Sequence, residues 1–442
     1  MRKYFGTDGV RGRVGDFPIT PDFALRLGYA LGKVLAINNT NGKISVIIGK
    51  DTRLSGYLFE SSLEAGLCYA GVDVYMAGPI PTPAVAYLTR ALHLSAGIVI
   101  SASHNPYYDN GIKFFSSDGS KFSDAVEMEI EAQLDQPMVI APELGKVFRQ
   151  EDGRGRYIEF CKNTFLPEFN LKKIKIVVDC ANGATYQVAP SVFKELGAVV
   201  IKDCVNPDGI NINHECGSTY PQNLIDKVLK HKADLGIAFD GDGDRVVFVD
   251  RFGKLYNGDQ LIYVILKMYI ARGINFGGVV GTVMTNLAME NALNKLGVKF
   301  VRSKVGDRYV LEELYKNNWL IGGEASGHIL CLDKHSTGDA IIAALQVLGA
   351  MCLLKKDLSD LVDWEDYPQV MINVKLSQER RNNWHTDEVK QLIQKSEQDL
   401  DGSGRIVVRA SGTEPVVRVM VEATDMDCAK DVAKQIADAI SA

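Results

Sequence analysis

A polar stretch with a serine beside a histidine follows an apolar run near residue 100. The run is AGIVI, residues 96–100, and the stretch is SASHNPYYDNGIK, residues 101–113. An apolar run of this length is typical of a buried strand, and ligands of α/β proteins bind at strand ends. Ser103 lies outside the GxSxG pattern of hydrolase nucleophiles, and the chain has no GxxxxGK[ST] phosphate loop. Taken alone, the stretch is also compatible with a helix cap or turn, with His104 on the surface.

Three aspartates alternate with glycines in the sequence DGDGDR. Asp240, Asp242 and Asp244 are bracketed by apolar runs, and Arg245 follows directly. Carboxylates this close repel one another unless a cation lies among them, and carboxylate oxygens are ligands that Mg²⁺ takes. The loop lacks the glycine and glutamate positions of an EF-hand. The pattern therefore predicts a Mg²⁺ site rather than a solvated turn, and a phosphorylated Ser103 would add phosphoryl oxygens to it.

A third loop, GGEASGH, covers residues 322–328. Its Glu324 and Ser326 can hydrogen-bond to sugar hydroxyls, and its His328 can transfer a proton. By itself this pattern is weak, because a single loop histidine is more often structural or solvated.

A fourth loop, RASGTEPVVR, covers residues 409–418. Arginines at both ends and hydroxyls around a glycine turn can bind one phosphate. The residues that offer these groups are Arg409, Ser411, Gly412, Thr413 and Arg418. A plain hairpin with surface arginines is the alternative from turn chemistry alone.

The elements that must position these loops follow a repeated order. Three segments each contain a strand, a polar loop, an amphipathic helix, a glycine and a second strand, and they begin at ISVIIG, IKIVVD and GGVVGTVMT. Gly71, Gly197 and Gly297 end the three helices. Each segment is a βαβ unit, which requires a parallel or mixed sheet covered by helices. The last seventy-odd residues instead read as an α+β domain.

The sequence thus predicts three related α/β domains with mixed sheets and a C-terminal α+β domain. The boundaries are predicted at residues 1–152, 153–253, 254–367 and 368–442, close to EDGRGR, Gly253 and Tyr367. In this division the serine loop, the aspartate loop, the GGEASGH loop and the arginine loop each fall in a different domain.

Composition excludes several classes of function. The chain has 442 residues, of which 46% are apolar and 24% charged, with a net charge of -6. A net negative charge does not favour binding to nucleic acid or to an anionic membrane, which requires a basic surface. No apolar run reaches the ~20 residues of a membrane span. Eight dispersed cysteines without a CxxC pair favour reduced thiols over a disulfide framework or a zinc site. A cytoplasmic protein is expected, since the opening MRKYFGTDGVRG has no apolar signal core.

The four loops, in this order, resemble the signature loops of the α-D-phosphohexomutase superfamily, and they span nearly the whole chain. The resemblance implies a heart-shaped enzyme of four domains with one active site in the central cleft. RKYFGTDGVRG and GPIPTPAVAYLTR resemble the bacterial amino-sugar branch more than the glucose and mannose branches. This implies reversible conversion of glucosamine 6-phosphate to glucosamine 1-phosphate, which supplies amino-sugar nucleotide and cell-wall synthesis. A phosphomannomutase or phosphoglucomutase with the same chemistry is the alternative.

The resemblance also implies a role for each site residue. Ser103 matches the family's phosphoserine, and the three aspartates match its Mg²⁺ ligands. The arginine loop matches the clamp for the phosphate that is not transferred. The candidates for acid, base or charge-stabilising roles are Arg11, Lys113, His328 and, beside the serine, His104. Glu324 and Ser326 match the readers of sugar hydroxyls, and the other residues expected around the substrate are Arg245, Gly306, Asp307 and Arg308.

The implied mechanism passes a phosphoryl group between Ser103 and the two ends of the sugar. Phosphoserine converts the substrate to a 1,6-bisphosphate, which turns end for end before the other phosphate returns to the serine. Glucosamine 1,6-bisphosphate or glucose 1,6-bisphosphate would serve as primer, and the expected partners are a phosphosugar and, at most, a second copy of the chain. A phosphoserine-dependent phosphatase or a regulatory phosphosugar binder on the same scaffold is the rival class.

Overall fold

The computed structural model describes residues 2–38, 42–376, 384–410 and 416–441. These residues form four sheets, each accompanied by helices. The predicted class is confirmed: three α/β domains with mixed sheets precede a smaller α+β domain. We number the domains I to IV in chain order.

Domain I has a six-stranded sheet with the order β1-β5-β4-β2-β3-β6. Strands β4, β2, β3 and β6 run parallel, whereas β5 is antiparallel to both β1 and β4. The run AGIVI is β4, with all five residues buried, as predicted. The elements, including the helix α5 that leads into domain II, are β1 (Val10–Arg13), α1 (Pro21–Asn38), β2 (Ser45–Lys50), α2 (Ser55–Tyr69), β3 (Asp73–Pro79), α3 (Thr82–Ala91), β4 (Ala96–Ile100), β5 (Asp109–Ser116), α4 (Asp124–Leu134), β6 (Val147–Arg149) and α5 (Gly153–Asn163).

Domain II has a five-stranded sheet with the order β11-β10-β9-β7-β8. Strands β9, β7 and β8 are parallel, and β10 returns antiparallel to β9 through the aspartate loop. The elements are β7 (Lys175–Asp179), α6 (Val188–Glu195), β8 (Val199–Asp203), α7 (Gln222–His231), β9 (Leu235–Phe239), β10 (Val246–Asp250) and β11 (Leu255–Tyr256).

Domain III has a four-stranded sheet, β13-β12-β14-β15, and domain IV an antiparallel sheet, β16-β18-β17. The elements of domain III are α8 (Gly258–Ala271), β12 (Val279–Thr282), α9 (Leu287–Lys295), β13 (Phe300–Ser303), α10 (Asp307–Asn317), β14 (Ile321–Gly323), β15 (Ile329–Cys331), α11 (Ala340–Leu354) and α12 (Leu358–Leu361). Those of domain IV are β16 (Gln369–Lys375), α13 (Asp387–Leu400), β17 (Gly404–Ala410), β18 (Val416–Ala423) and α14 (Met426–Ser441).

One apolar core runs continuously through the first three domains, whereas domain IV has a core of its own. Val85 of α3, Ile237 of β9 and Ile265 of α8 belong to the shared core. Domain IV instead meets domain III through polar contacts: Arg405 donates to the carbonyl oxygens of Val283 and Thr285 at 2.8 and 2.9 Å. Domains I to III therefore form a continuous scaffold for the loops between them. No helix in the described part of the chain combines the length and apolarity needed to cross a bilayer.

Candidate active site

The serine loop and the aspartate loop meet at the boundary of domains I and II. Ser103 follows the carboxyl end of β4, and the aspartates connect β9 to β10. The Ser103 hydroxyl donates a hydrogen bond to Asp240 Oδ2 at 2.7 Å, and the serine is almost fully buried. Gly241 permits this approach, because a Cβ at that position would lie 2.6 Å from the Ser103 carbonyl oxygen. The structure thus joins two loops that are far apart in sequence, as the metal hypothesis requires.

A buried arginine that the sequence reading missed holds the serine loop. Arg53 has no exposed surface, and its Nε donates to Asp51 Oδ2 at 2.8 Å. Its other guanidinium nitrogens donate to backbone carbonyl oxygens of the loop, those of Ser103, Asn105, Pro106 and Asp109. Five donors in one rigid fork can bind several carbonyls at once, so Arg53 organises the loop. Arg53 belongs to the polar segment KDTRLSG at the end of β2, and β2 is next to β4 in the sheet. That position predicts a residue near the serine loop, but nothing in the sequence shows that the arginine is buried.

Two further contacts hold Ser103 in its unusual backbone conformation. Its φ is 52°, in the left-handed region, which costs free energy for any residue other than glycine. The Ser101 hydroxyl accepts the Ser103 N–H at 2.9 Å and donates to Asp51 at 2.6 Å. From domain II, Asn213 Nδ2 donates to the Ser103 carbonyl oxygen at 2.9 Å. Ser101 is therefore a support for the loop, while the Ser103 hydroxyl is directed at the aspartates.

The three aspartates form a compact acidic group whose free oxygens suit a cation. One oxygen from each lies within 4.8 Å of the others, and all three side chains are buried. Asp242 Oδ1 and Asp244 Oδ1 are buried without a hydrogen-bond partner among the described residues. Burial and the charges of Asp244 and Asp242 raise the pKa of Asp240 well above its ordinary value. Unpaired buried oxygens are costly, so this donor set fits Mg²⁺, which takes carboxylate oxygens.

Lysine and arginine side chains of domain I flank the acidic group. Lys113 Nζ lies 2.8 Å from Asp242 Oδ2 and 3.0 Å from Asp8 Oδ2, and Arg11 pairs with Asp8. Burial alone would lower the pKa of Lys113, but Asp242 and Asp8 raise it above its ordinary value. Lys113 is therefore a permanent ammonium group, able to stabilise negative charge but not to accept a proton. The sequence reading missed Asp8, which lies three residues before Arg11 and orients both cations.

The environment of His104 favours the neutral form of its ring, in contrast to Lys113, whose charged form is favoured. Its Nδ1 lies 3.0 Å from a guanidinium nitrogen of Arg245 and 3.3 Å from the Ser103 hydroxyl. Burial, then the charges of Arg245 and Arg11, lower the pKa of His104 to about 4. The ring is therefore neutral at neutral pH, and its Nδ1 accepts from the arginine, which can only donate.

His328 enters the site from domain III, beside a backbone bridge between Arg245 and His328. Its ring nitrogens lie 3.7 Å from Asp244 and 3.8 Å from Asp307. Burial by itself would lower the pKa of His328, but the hydrogen bond and charge of Asp244, with the charge of Asp307, raise it to about 8. The imidazole therefore gains and loses a proton near physiological pH, as a proton-transfer group must. Lys121 links Asp307 back to Asp8 in domain I.

A cavity of about 170 Å³ lies between these groups, and three domains line it. Glu324 lines the cavity and accepts the N–H of Gly306 at 3.0 Å. Neither Ser326 nor Arg308 lines the cavity: Ser326 is exposed, and Arg308 pairs with Asp124 and Glu127 of domain I. The lining residues include Arg11, Ser103, Arg245, Asp307, Glu324 and His328.

The arginines of the fourth loop lie opposite each other in the sheet of domain IV. Arg409 of β17 pairs in register with Arg418 of β18, so the two side chains share one face. Burial and then the charge of Arg418 lower the pKa of Arg409. Like charges directly opposite are unfavourable, and an anion between them would relieve this. The predicted clamp residues Ser411, Gly412 and Thr413 lie outside the described residues.

Comparisons with known proteins agree with this arrangement. Models of the phosphoglucomutase/phosphomannomutase alpha/beta/alpha domains I, II and III and of the C-terminal domain match residues 2–138, 155–253, 257–367 and 371–439. A phosphoglucosamine mutase of Neisseria meningitidis is 59% identical over 442 residues, covering 99% of each chain.

Two solved structures have the same fold. A phosphoglucomutase/phosphomannomutase family protein of Burkholderia thailandensis is similar with a TM-score of 0.80 at 24% identity, covering 100% of this chain and 98% of its own. An N-acetylphosphoglucosamine mutase of Aspergillus fumigatus, solved with GlcNAc-6P and magnesium, has a TM-score of 0.66 at 18% identity, covering 100% and 96%.

The chain therefore belongs to the phosphoglucomutase/phosphomannomutase family, within the α-D-phosphohexomutase superfamily, and is an enzyme of the mutase type. Inside that family it groups, over its full length, with the bacterial phosphoglucosamine mutases.

Proposed function

We propose that the enzyme interconverts glucosamine 6-phosphate and glucosamine 1-phosphate through a phosphorylated Ser103. The observation that carries the mechanism is the hydrogen bond from the buried Ser103 hydroxyl to Asp240. Two carboxylate oxygens beside it have no hydrogen-bond partner among the described residues. The substrate rests on the 59% identity with a phosphoglucosamine mutase.

The residues around Ser103 have two roles in phosphoryl transfer: some bind the metal ion, and others stabilise negative charge. Asp240, Asp242 and Asp244, with the phosphoryl oxygens on Ser103, would hold Mg²⁺, which when bound neutralises charge on the transferring group. Lys113 and Arg11, both permanently charged, stabilise the negative charge that develops on the phosphoryl oxygens. Asp8 keeps these two cations in place.

Proton transfer falls to His328. A sugar hydroxyl that attacks the phosphoryl group must lose its proton, and the departing serine oxygen must gain one. Of the candidates, Lys113 and Arg11 retain their protons. His104, with a pKa of about 4, is a weak base whose Nδ1 already accepts from Arg245. His328 has a pKa of about 8 and a ring nitrogen without a hydrogen-bond partner among the described residues. Asp244 and Asp307 orient its ring.

The remaining site residues bind the substrate. Glu324 and Arg245 line the cavity and can bind sugar hydroxyls and phosphate, while Gly306 and Asp307 form its domain III wall. Arg409 and Arg418, with Ser411, Gly412 and Thr413, bind the phosphate that is not transferred. Because the bisphosphate must turn end for end, this clamp binds either end of the sugar. Glucosamine 1,6-bisphosphate or glucose 1,6-bisphosphate primes the cycle by phosphorylating Ser103.

The substrate is tested by kcat/KM for the 6-phosphates of glucosamine, glucose and mannose, each primed with its matching 1,6-bisphosphate. We expect glucosamine 6-phosphate to be preferred by roughly 10²-fold or more, since a site that pairs with a buried amino group rejects analogues lacking it. Equal or higher values for glucose or mannose would overturn the substrate and leave the phosphohexomutase chemistry intact. The Ser103→Ala variant is the control for background turnover.

A further inference from the structure

A second group of ligand-type side chains lies on the sheet of domain II, away from the aspartate loop. Asp179 ends β7, Cys204 follows β8, and Cys216 lies later in the same loop. One carboxylate oxygen and the two sulfur atoms all lie within 4.8 Å of one another. The carboxyl ends of parallel strands share one edge of a sheet, where α/β proteins bind ligands. The catalytic loop follows β9 at this same edge, so the sheet carries two clusters of donors.

The two thiols are in direct contact. Their hydrogen bond, followed by burial, raises the pKa of Cys204 above its ordinary value. Asp179 and Cys216 are buried, while Cys204 is partly exposed and gives solvent access to the group. The two sulfurs therefore lie beside a buried carboxylate, and the group is reached from solvent through Cys204.

We propose that Cys204, Cys216 and Asp179 form a binding site for a thiophilic divalent cation such as Zn²⁺, separate from the Mg²⁺ site. Tetrahedral zinc places sulfur and oxygen ligands about 3.5 to 3.8 Å apart. The observed donors thus need to contract by about 1.3 Å at most. Binding replaces the two thiol protons, which pass to solvent, and leaves a fourth position for water on the exposed side of Cys204. Sulfur ligands select Zn²⁺ over Mg²⁺, which prefers oxygen.

Hydrogen bonds from neighbouring groups hold the Asp179 carboxylate in place, as they hold the ligands in known metal sites. The backbone N–H groups of Ala181 and Gly217 donate to the two Asp179 oxygens at 2.8 and 2.9 Å. Asn223 Nδ2 lies 3.4 Å from Asp179 Oδ2 and 3.7 Å from Cys204 Sγ. Hydrogen bonds of this kind orient metal ligands and contribute to affinity. The same amide donates to Asp203, whose charge Lys227 balances at 3.0 Å.

The site is linked to the catalytic loop through the segment between the two cysteines. This segment carries Asn213, which donates to the carbonyl oxygen of Ser103 at 2.9 Å. It also carries Gly209, whose carbonyl oxygen accepts the N–H of Leu54 at 2.9 Å. A cation that joins both ends of the segment therefore stabilises two contacts with domain I.

The experiment is a titration of the reduced, metal-free full-length enzyme with Cd²⁺ in excess Mg²⁺, which keeps the aspartate site filled. Coordination by sulfur gives an ultraviolet thiolate-to-cadmium charge-transfer band, and we expect it to saturate at one equivalent and to be displaced by Zn²⁺. Cys204→Ser and Cys216→Ser should weaken binding by at least about 100-fold. Cys428→Ser, which changes an exposed cysteine elsewhere, should bind as the unchanged enzyme does.

A second measurement on the unchanged enzyme does not depend on variants that fold. Zn²⁺ should slow alkylation of Cys204 by iodoacetamide about tenfold or more, because a coordinated thiolate is shielded, and peptide mass mapping reads this directly. Alkylation of Cys204 at the same rate with and without Zn²⁺ would overturn the proposal. So would a cadmium band that survives in Cys204→Ser.

Discussion

Ser103 lies between two groups of buried charges, which differ in whether all their polar atoms have hydrogen-bond partners. On its carbonyl side, the Asp51–Arg53 pair has no exposed surface on either side chain, and its hydrogen bonds reach Ser101 and the loop backbone. On its hydroxyl side, the aspartate group is also buried but keeps oxygens of Asp242 and Asp244 without a hydrogen-bond partner among the described residues. Both groups are charged and both touch the same serine.

The difference separates scaffold from chemistry. A buried ion pair whose hydrogen bonds are complete fixes geometry, and breaking it leaves an uncompensated charge. A buried carboxylate with an open lone pair has a cost in the empty protein that a ligand can remove. Substitutions in the first group should therefore reduce stability, and substitutions in the second should reduce activity while the fold persists.

The largest effect is expected for Ser103→Ala. Removal of the phosphoryl acceptor should abolish covalent phosphate and lower turnover by at least about 10³-fold. Intact mass and peptide mapping report the phosphate, and a coupled assay reports turnover. Ser101→Ala is the matched control: its hydroxyl bonds only Asp51 and the Ser103 backbone, so Ser103 should still be phosphorylated. Phosphate on Ser101, or a fully active Ser103→Ala enzyme, would contradict the comparison.

Arg53→Met should have the next largest effect, on stability. It leaves Asp51 buried without its cation, a change that costs about 3–5 kcal/mol, and frees the loop carbonyls that Arg53 binds. Urea unfolding measures the loss, and Arg149→Met, at an exposed arginine, is the control. Adding Asp51→Asn to Arg53→Met should recover part of the stability, since it removes the unpaired charge. Normal stability with low activity would place Arg53 in the catalytic group instead.

Asp242→Asn should show the opposite pattern. The amide keeps an acceptor for the Thr82 hydroxyl, which donates to Asp242 at 2.7 Å, but one charge is lost at the cation site. Lys113 loses its charged partner in Asp242 and keeps Asp8 at 3.0 Å. We expect kcat/KM to fall about 10²-fold, the Mg²⁺ requirement to rise, and the free energy of unfolding without Mg²⁺ to change by less than about 1 kcal/mol. Calorimetry with and without Mg²⁺ checks this, because the variant should lose the stabilisation that bound metal gives. An unchanged Mg²⁺ requirement would contradict the metal site and leave the aspartate loop with no role beyond that of a turn.

The smallest effect concerns pH and His328. Its pKa is raised to about 8, so the stabilising contact of the imidazolium with Asp244 is complete below the unfolded value of about 6.5 and is lost as pH rises through about 8. Because the protonated imidazole supplies the proton that the departing serine oxygen gains, we expect kcat/KM to decline above pH 8 by up to about tenfold per pH unit. His328→Gln should lower the maximum and remove this alkaline limb. An identical limb in the variant would assign it to another group.

Much of the fold was predictable because its signals are local. Apolar runs such as AGIVI and IKIVVD predict buried strands, and Gly71, Gly197 and Gly297 end helices. The order and spacing of these segments along the chain therefore predict three βαβ domains and an α+β domain. The domain limits stay predictions, as do the roles of the site residues. Ser326 and Arg308 lie in the expected loops, the first exposed and the second paired with domain I, and their roles toward the substrate stay predictions.

The sequence by itself determined which chemical groups occur together in contiguous segments: a serine at a strand end, three aspartates separated by glycines, and two arginines on either side of Ser411, Gly412 and Thr413. Only the tertiary structure decided which groups stand beside them. Asp8, Arg53, Lys121 and Asn213 act through partners far away in the chain. The contact of Cys204 with Cys216 and Asp179 likewise depends on three separate strand ends and loops. Burial and proximity arise from packing of the whole chain, so no short stretch of sequence carries a signal for them.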